Sequence, residues 1–412
     1  MGWYAGECVA GVLGQVSRSG TLVYPHSMHW RSKLIHSESK IPTPIGFRSL
    51  VPATFRGSTV VFPSTEQVSD SWQQSEGYTY GLYGTPTTLE LAGRVAELEG
   101  ARHTFITPGG QAAIGLIYFS FCGAGDHVLL PSSAYGPNRE LAEGLLKRCQ
   151  INVERYPALI GSEVAKLIRP ETKLIWCESP GSITMEVQDV PAIVAAAHAK
   201  GVTVAMDNTY AAGVMFDAFF HGIDVSMQAL TKYVGGHSDL LLGSVSVGSD
   251  AAYLRVGETH SQLGMAVSPD DCSLALRGLL TLGVRLDALQ KATLAIAEWL
   301  DERKEIDVVL HPALPSCPGH EIWRRDFTGS TSVFSVLFAQ EFEADRVNAF
   351  VDALKLFKIG WSWGGVTSLV MAYPSLDRLG KKYRRRIVRF NVGLEDHADL
   401  IEDLSQAFAA TR

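Results

Sequence analysis

The sequence lacks the signatures of several large classes of protein. No apolar run among its 412 residues reaches the length that crosses a membrane. The formal net charge is −7, and the only basic cluster is "KKYRRR" at 381–386, a run too short to predict a nucleic-acid surface. We therefore expect a globular protein whose partner is a small molecule, without a membrane or a nucleic acid.

Cysteines are few and unpatterned. The chain has six, and none of them form a C-x-x-C pair, so we expect free thiols in a reducing compartment. The opening "MGWYAGECVAGVLGQVSRSG" has no basic residues before its apolar part, and we interpret it as an extension that precedes the chain proper near Arg31, not as a signal peptide. A cytoplasmic location is expected.

Several motifs with a known chemistry are also missing. The chain contains no G-x-G-x-x-G between a strand and a helix, no phosphate-binding G-x-x-x-x-G-K-[ST], and no G-x-S-x-G nucleophile turn. The pair His26 and His29, and the group His311, Cys317 and His320, do not meet a recognised ligand spacing, so no metal is expected.

From about Thr85 the chain alternates strands with helices. The runs at 126–131, 172–180 and 202–208 are typical of buried strands, and helical patterns lie between them. This order predicts an α/β fold whose mostly parallel sheet is covered on both faces. Ligands of such sheets bind at the carboxyl ends of the strands, where Glu178 and Asp207 are expected.

After about Arg277 the pattern changes to a long helix followed by mixed strands and helices, which indicates a smaller α+β domain. We therefore divide the chain into an extension (1–84), a sheet domain (85–277) and a C-terminal domain (278–412).

Lys232 stands in "QALTKYVGGHSDLLLGS", an apolar run punctuated by glycines. Lysine is rarely buried without a partner, and a side chain that reaches the surface is the simple explanation. Three features favour another one. Asp207 ends a strand, "TPGGQAA" at 107–113 forms a glycine turn at a helix start that suits a phosphate, and Tyr135 follows a strand where its ring could stack. Together they fit pyridoxal phosphate held by Lys232 as a Schiff base.

At this point the chain resembles a known family, the pyridoxal-phosphate-dependent enzymes of cysteine and methionine metabolism. The resemblance covers about Arg31 to the C-terminus. It rests on motifs that occur in the family's order: "YGLYGTPTT", "PGGQAA", "ESPGSITMEVQDVPAI", "AMDNTYAAG", "SMQALTKYVGGHSD", "HPALPSCPGHEIWRRDF", "WSWGG" and "VRFNVGLED". It implies the type I fold of pyridoxal-phosphate-dependent transferases.

The resemblance also implies roles for residues around the cofactor. Lys232 would bind it covalently and move the Cα proton, Asp207 would hold the ring nitrogen protonated, and Tyr135 would stack on the ring. The phosphate would be held by Gly110, Gln111 and Thr231, and by Tyr80 from a neighbouring subunit. Residues 1–84 would thus include an inter-subunit arm of a homotetramer built from two dimers that share active sites.

For the substrate, the resemblance implies that Arg389 binds the α-carboxylate and that Ser362 and Trp363 line the pocket. Its substrates are thioether or thiol amino acids. Where the family usually has an arginine two residues after Tyr80, this chain has Leu82, which leaves open whether L-cystathionine or a smaller amino acid such as cysteine is preferred.

The implied reaction is α,β-elimination that releases a thiol, pyruvate and ammonia. The alternatives are a cysteine desulfhydrase-like lyase, a γ-acting relative such as a γ-synthase or γ-lyase, and a regulatory protein that binds the cofactor without turnover. Many γ-acting relatives have an acidic residue where Ser362 stands, which favours β-elimination here.

Overall fold

The computed structural model describes residues 29–37, 39, 41, 43–44, 47, 49–73, 77–373, 376–378, 381–382 and 386–411. The expected N-terminal extension therefore lies largely outside the described residues, as do His26 and the 383–385 part of the basic run.

The chain divides into two units, residues 1–38 and residues 39–412. In the first, helix α1 (Trp30–His36) begins after His29, whose ring nitrogen Nδ1 accepts a hydrogen bond from the backbone of Arg31. Leu34 is its buried side chain.

The first half of the larger unit builds a seven-stranded sheet. Three short 3₁₀ turns (Thr65–Gln67, Gly81–Tyr83, Gly161–Lys166) and a π-helical turn (Ala142–Leu146) accompany it. Its helices and strands are α2 (Pro86–Glu99), β1 (His103–Thr107), α3 (Gly110–Phe121), β2 (His127–Pro131), α4 (Gly136–Leu141), β3 (Asn152–Tyr156), β4 (Thr172–Glu178), α5 (Val190–His198), β5 (Thr203–Asp207), β6 (Val225–Gln228), β7 (Gly243–Val247) and α6 (Asp250–Gln262).

This sheet is mostly parallel, as the alternation of strands and helices predicted. The strand order is β1-β7-β6-β5-β4-β2-β3, and only β7 runs antiparallel to its neighbours. Every residue of β2 is buried, which explains why its sequence is a continuous apolar run without alternation. Helix α2 begins after Thr85, where the alternation was expected to start, and Thr85 and Thr88 cap its first turn reciprocally.

The second half builds a five-stranded sheet of order β10-β11-β14-β9-β8. Strands β12 and β13 pair separately as a short hairpin. The elements are α7 (Pro269–Asp301), β8 (Ile306–Leu310), α8 (His320–Asp326), β9 (Val333–Phe338), α9 (Ala344–Ala353), β10 (Lys358–Ile359), β11 (Leu369–Tyr373), β12 (Asp377–Arg378), β13 (Lys381–Lys382), β14 (Ile387–Asn391) and α10 (His397–Ala410).

Helix α7 spans the position at which we expected the second domain to begin. Its 33 residues start after Ser268, whose hydroxyl caps the backbone N–H groups of Asp270 and Asp271. Buried residues recur along its whole length, including Leu279, Leu286 and Leu300. The division after residue 277 therefore falls within a continuous helix, and it stays a prediction. Within the described residues, no helix is both long and apolar enough to cross a membrane.

The two sheets present functional side chains from defined positions. Glu178 and Asp207 are the last residues of β4 and β5 and are paired in register, so both lie at the carboxyl edge that the sequence predicted. Lys232 lies in the turn between β6 and β7. Arg389 lies on β14, between Ser335 of β9 and Met371 of β11.

Candidate active site

One cavity of about 360 Å³ lies at the carboxyl edge of the large sheet, within the size range of small-molecule sites. It brings together eight of the residues singled out from the sequence, which are far apart in the chain. They are Gly110, Gln111, Tyr135, Asp207, Thr231, Lys232, Trp363 and Arg389.

Lys232 is mostly buried at the base of this cavity. Its amine donates a hydrogen bond to Ser362 Oγ at 2.5 Å and lies 5.3 Å from the centroid of the Trp363 ring. Burial and, to a lesser extent, the charge of Arg389 lower the pKa of Lys232 to about 8, against the opposing effect of Asp207. The simple explanation of a lysine that reaches the surface is therefore wrong, and an amine with a lowered pKa lines the cavity.

Asp207 also lines the cavity. Its Oδ1 accepts a hydrogen bond from the backbone N–H of Thr209 at 3.0 Å. Burial raises the pKa of Asp207, while the bond from Thr209 and the charge of Lys232 act against that rise. A positively charged group that entered the cavity would restore the carboxylate, since an adjacent cation favours the ionised form.

Tyr135 begins helix α4 with its ring at the cavity, and 41% of the residue is exposed. Its backbone N–H donates to Glu178 Oε2 at 2.7 Å, so the carboxylate at the end of β4 fixes where the ring stands. Burial raises the pKa of the Tyr135 hydroxyl, with Asp207 and Glu178 adding to the effect and Arg389 opposing it. The phenol therefore stays neutral at physiological pH.

Uncharged hydrogen-bonding groups, the backbone N–H groups at the start of α3 and the hydroxyl of Thr231, lie together at one end of the cavity. Gly110 and Gln111 open α3, a 12-residue helix whose first backbone N–H groups have no partner within the helix. A Cβ at Gly110 would lie 2.8 Å from the Cβ of Ala229, so this turn packs directly against the segment that carries Lys232. Thr231 completes this end, and its hydroxyl bonds to the backbone of Leu242. The helix dipole and these N–H groups suit a phosphate.

Arg389 is 8% exposed and projects from the small sheet into the cavity. One nitrogen, Nη2, donates to the backbone oxygen of Ser362 at 3.1 Å, and the guanidinium lies 5.6 Å from the Tyr373 ring centroid. The remaining N–H groups of the fork are available to a ligand carboxylate.

Trp363 lines the cavity, whereas Ser362, which was expected to line it as well, is not among the lining residues and contacts the Lys232 amine by its hydrogen bond. Ser362 has a left-handed backbone (φ 83°), which is uncommon for a residue other than glycine. Gly364 beside them is also left-handed, and a Cβ there would lie 3.2 Å from the Lys232 backbone. This close approach holds the Ser362 hydroxyl on the amine.

Tyr80 does not lie at this cavity within one subunit. It precedes the Gly81–Tyr83 turn, is 47% exposed, and its ring contacts that of Tyr83. Leu82 instead lines a separate cavity of about 160 Å³ with Trp72 and Phe105 among its walls. The expected contact of Tyr80 with the site of a neighbouring subunit stays a prediction.

Two residues that hold the site together were not selected from the sequence as site residues. Thr209 donates its N–H to Asp207, and its hydroxyl accepts from the backbone of Ala229 at 2.9 Å, which links the two segments. Glu178 fixes Tyr135. Their positions at or just beyond strand ends were the signal that could have found them.

The cysteines and histidines outside this cavity make no second centre in the described part of the chain. Cys122, Cys149, Cys177, Cys272 and Cys317 are free thiols there. His311 and His320 bond to backbone groups of their own loop, and no three potential ligands cluster around a metal-sized space among the residues that the structure covers.

The sequence matches a family model and is similar to proteins of known name. Residues 31–409 match the model of the Cys/Met metabolism PLP-dependent enzyme family. The chain is 40% identical over 360 residues to the cystathionine β-lyase of Bordetella avium, covering 85% of this chain and 90% of the relative. It is 38% identical over 370 residues to the cystathionine β-lyase of Haemophilus influenzae, covering 87% and 93%.

Solved structures are also similar. Cystathionine γ-synthase from Xanthomonas oryzae, in complex with aminoacrylate and cysteine, superposes with a TM-score of 0.86 at 27% identity, covering 94% of this chain and 99% of that one.

Proposed function

The chain belongs to the Cys/Met metabolism family of pyridoxal-phosphate-dependent enzymes, and from this we propose that it cleaves L-cystathionine by α,β-elimination to homocysteine, pyruvate and ammonia. It is a carbon–sulfur lyase with pyridoxal phosphate as its cofactor and the type I fold of that class. The observation that carries the proposal is that the buried amine of Lys232, with its lowered pKa, shares one cavity with Asp207 and Arg389.

The residues present fit the cofactor. An amine, a carboxylate and a set of backbone N–H groups stand at different walls of one cavity, as an aldehyde, a ring nitrogen and a phosphate require. Lys232 would hold the cofactor covalently, and Asp207 would pair with the protonated ring nitrogen. The start of α3, at Gly110 and Gln111, and Thr231 would hold the phosphate, with the ring of Tyr135 against the cofactor.

When bound, pyridoxal phosphate supplies a sink for the electrons left at the substrate Cα. The proton on that carbon must go to a base, and Lys232 is suited because its lowered pKa leaves a useful fraction of neutral amine near pH 7 to 8. Ser362 Oγ fixes the position of this amine. The two residues thus hold and move the proton.

Arg389 would bind the substrate α-carboxylate through its planar fork, while its bond to the Ser362 backbone prevents rotation. Because Ser362 contacts both cations, it sets the distance between the carboxylate site and the base. That arrangement aligns the Cα proton with Lys232.

β-Elimination is favoured over γ-chemistry by two observations. The named β-lyases are 40% and 38% identical to the chain, whereas the γ-synthase structure is 27% identical. In addition, the side chain beside the lysine is the hydroxyl of Ser362, not the acidic group found there in many γ-acting relatives.

The test is the 2-oxo acid released from L-cystathionine by the purified, cofactor-loaded protein. Pyruvate in equal amount to homocysteine is expected, and Lys232→Ala should release neither at a comparable rate. 2-Oxobutyrate with cysteine would identify a γ-lyase instead. A loaded protein that cleaves no thioether or thiol amino acid would favour a regulatory protein.

We also propose a homotetramer in which Tyr80 of one subunit reaches the site of another. Support comes from large apolar side chains exposed along one segment, since such exposure marks interfaces. They are Phe47, Leu50, Val51, Phe55, Val61, Val68, Tyr78 and Tyr80. Light scattering should give four subunits, and a monomer with full activity would contradict the shared site. The free thiols support a cytoplasmic location.

A further inference from the structure

Every charged side chain that lines the cavity already has a partner or a role in the proposed reaction. None of them is assigned to the distal end of a substrate, which leaves with the sulfur. Within the described residues, the charged side chains that line it are Glu178, Asp207, Lys232 and Arg389. Glu178 accepts the Tyr135 N–H. Under the proposed function, Asp207 would pair with the cofactor's ring nitrogen, Lys232 would be the base and Arg389 would bind the α-carboxylate. No cation or carboxylate of this lining is left for a second amino-acid group.

Much of the rest of the lining is apolar, although Ser182 and Thr209 add neutral polar side chains. Ile183, Met185, Tyr210 and Val333 line the cavity and belong to one hydrophobic cluster, with Trp363 packed against it. Ile183 and Met185 both have left-handed backbones (φ 70° and 55°), a strained arrangement that turns this loop so that both buried side chains line the cavity. Leu241 lines the same cavity outside this cluster, beside Leu242, and 69% of the residue is exposed.

The segment around Tyr80 that a second copy would contribute adds no charge either. Residues 78–84 read "YTYGLYG", with rings and Leu82 but no ionisable base or acid other than the tyrosine hydroxyls. Arg56, on the approach to this arm, is already paired with Asp270.

We propose that this site selects β-thio amino acids whose sulfur substituent is apolar, such as S-alkyl- and S-aralkyl-L-cysteines, in preference to a substituent that ends in a charged amino-acid group. The proposal rests on the function proposed above and narrows its substrate class. An ammonium and a carboxylate placed along this wall would lose water without gaining a charged partner, whereas each methylene of an alkyl chain gains by burial.

S-Propyl-L-cysteine is the matched probe, because it is L-cystathionine without the distal ammonium and carboxylate. With one water it gives propanethiol, pyruvate and ammonia. Lys232 takes the Cα proton, the Cβ–S bond breaks, and the sulfur leaves with the bonding electron pair. We expect kcat/KM for S-propyl-L-cysteine to exceed that for L-cystathionine by about tenfold, and each added methylene to raise it a few-fold.

A binding measurement separates recognition from the reactivity of the leaving thiol. In 2-aminoheptanoate and 2,7-diaminosuberate a methylene replaces the sulfur of the two substrates, so neither can eliminate. Inhibition of the loaded enzyme should be tighter for 2-aminoheptanoate. Tighter inhibition by 2,7-diaminosuberate, together with a higher kcat/KM for L-cystathionine, would overturn the proposal.

Leu241 allows a gain-of-charge test. Leu241→Arg places a guanidinium at the mouth of the cavity and should shift the kcat/KM ratio toward L-cystathionine by tenfold or more, whereas Leu241→Gln, which is polar and uncharged, should not. An unchanged ratio in Leu241→Arg would show that the substituent does not lie along this wall. If no compound yields pyruvate, the proposed elimination itself fails, which is a separate outcome.

Discussion

Removing the amine of Lys232 should stabilise the cofactor-free protein near neutral pH. Burial lowers the pKa of Lys232 from 10.5 to about 8, so the folded protein pays for a protonated amine that the unfolded chain accommodates freely. Each unit of pKa difference corresponds to about 1.4 kcal/mol. The penalty at pH 7 is therefore about 3 kcal/mol, and Lys232→Met removes it.

The sign of the pH dependence follows from proton binding. Between pH 8 and 10.5 the unfolded chain still holds the Lys232 proton and the folded protein has released it, so the free energy of unfolding of the wild type rises with pH in this window. The variant lacks this contribution. Its advantage over the wild type should thus be largest at pH 7 and should shrink by about 3 kcal/mol by pH 10.5.

Urea denaturation of both cofactor-free proteins, followed by circular dichroism at a fixed subunit concentration, measures this difference. Lys232→Gln keeps a donor for Ser362 Oγ and separates loss of that hydrogen bond from loss of charge. Its free energy of unfolding should differ from that of Lys232→Met by a constant amount, and its difference from wild type should depend on pH in the same way as that of Lys232→Met. A difference between wild type and variant that stays constant from pH 7 to 10.5 would refute the reasoning, because Lys232 would then titrate alike in both states.

Four further outcomes are expected. Arg389→Ala should raise KM for any amino-acid substrate about 10²-fold, since it removes the buried partner of the α-carboxylate, and an unchanged KM would contradict that role. Asp207→Asn should lower kcat on the order of 10²-fold while the loaded cofactor remains visible by absorbance. Burial lowers the pKa of His311 to about 4, so wild-type stability should fall by about 3 kcal/mol from pH 6.5 to 4 in urea titrations, and His311→Asn should not show this loss. Burial raises the pKa of Glu99, which accepts a bond from Ser226 Oγ, so Glu99→Gln should gain stability relative to wild type as the pH rises above 4.5, and a parallel profile would count against this.

Local patterns were sufficient to predict three strands of the large sheet, β2, β4 and β5, and the presence of helices between them. Strand β2 is a short apolar run because both of its faces are covered, and α2 begins where Thr85 and Pro86 can cap it. Residues 142–146 differ from the regular helix that was expected. They form a π-helical turn after α4, and the sequence contained no signal of that change.

The residues of the candidate site that could be predicted from the sequence are those at the ends of β-strands. Asp207 and Glu178 end parallel strands, so their shared edge followed from the order of strands and helices alone. Arg389 followed only from resemblance, since nothing about one arginine in a small-sheet strand predicts which cavity its side chain enters. The support that Thr209 and Ser362 give was not predictable, because it depends on hydrogen bonds between segments far apart in the chain.

The sequence by itself determined the alternation of strands and helices and the residue types at the strand ends. It also determined that the segment 78–84, which contains Leu82, has no charged residue. Only the tertiary structure decided that Lys232 is buried beside Arg389, because its pKa depends on the charges and the solvent around it and not on its neighbours in the chain. It also decided that Ile183, Met185 and Trp363 meet as one apolar wall. Packing between distant segments creates that wall, and local propensities carry no information about it.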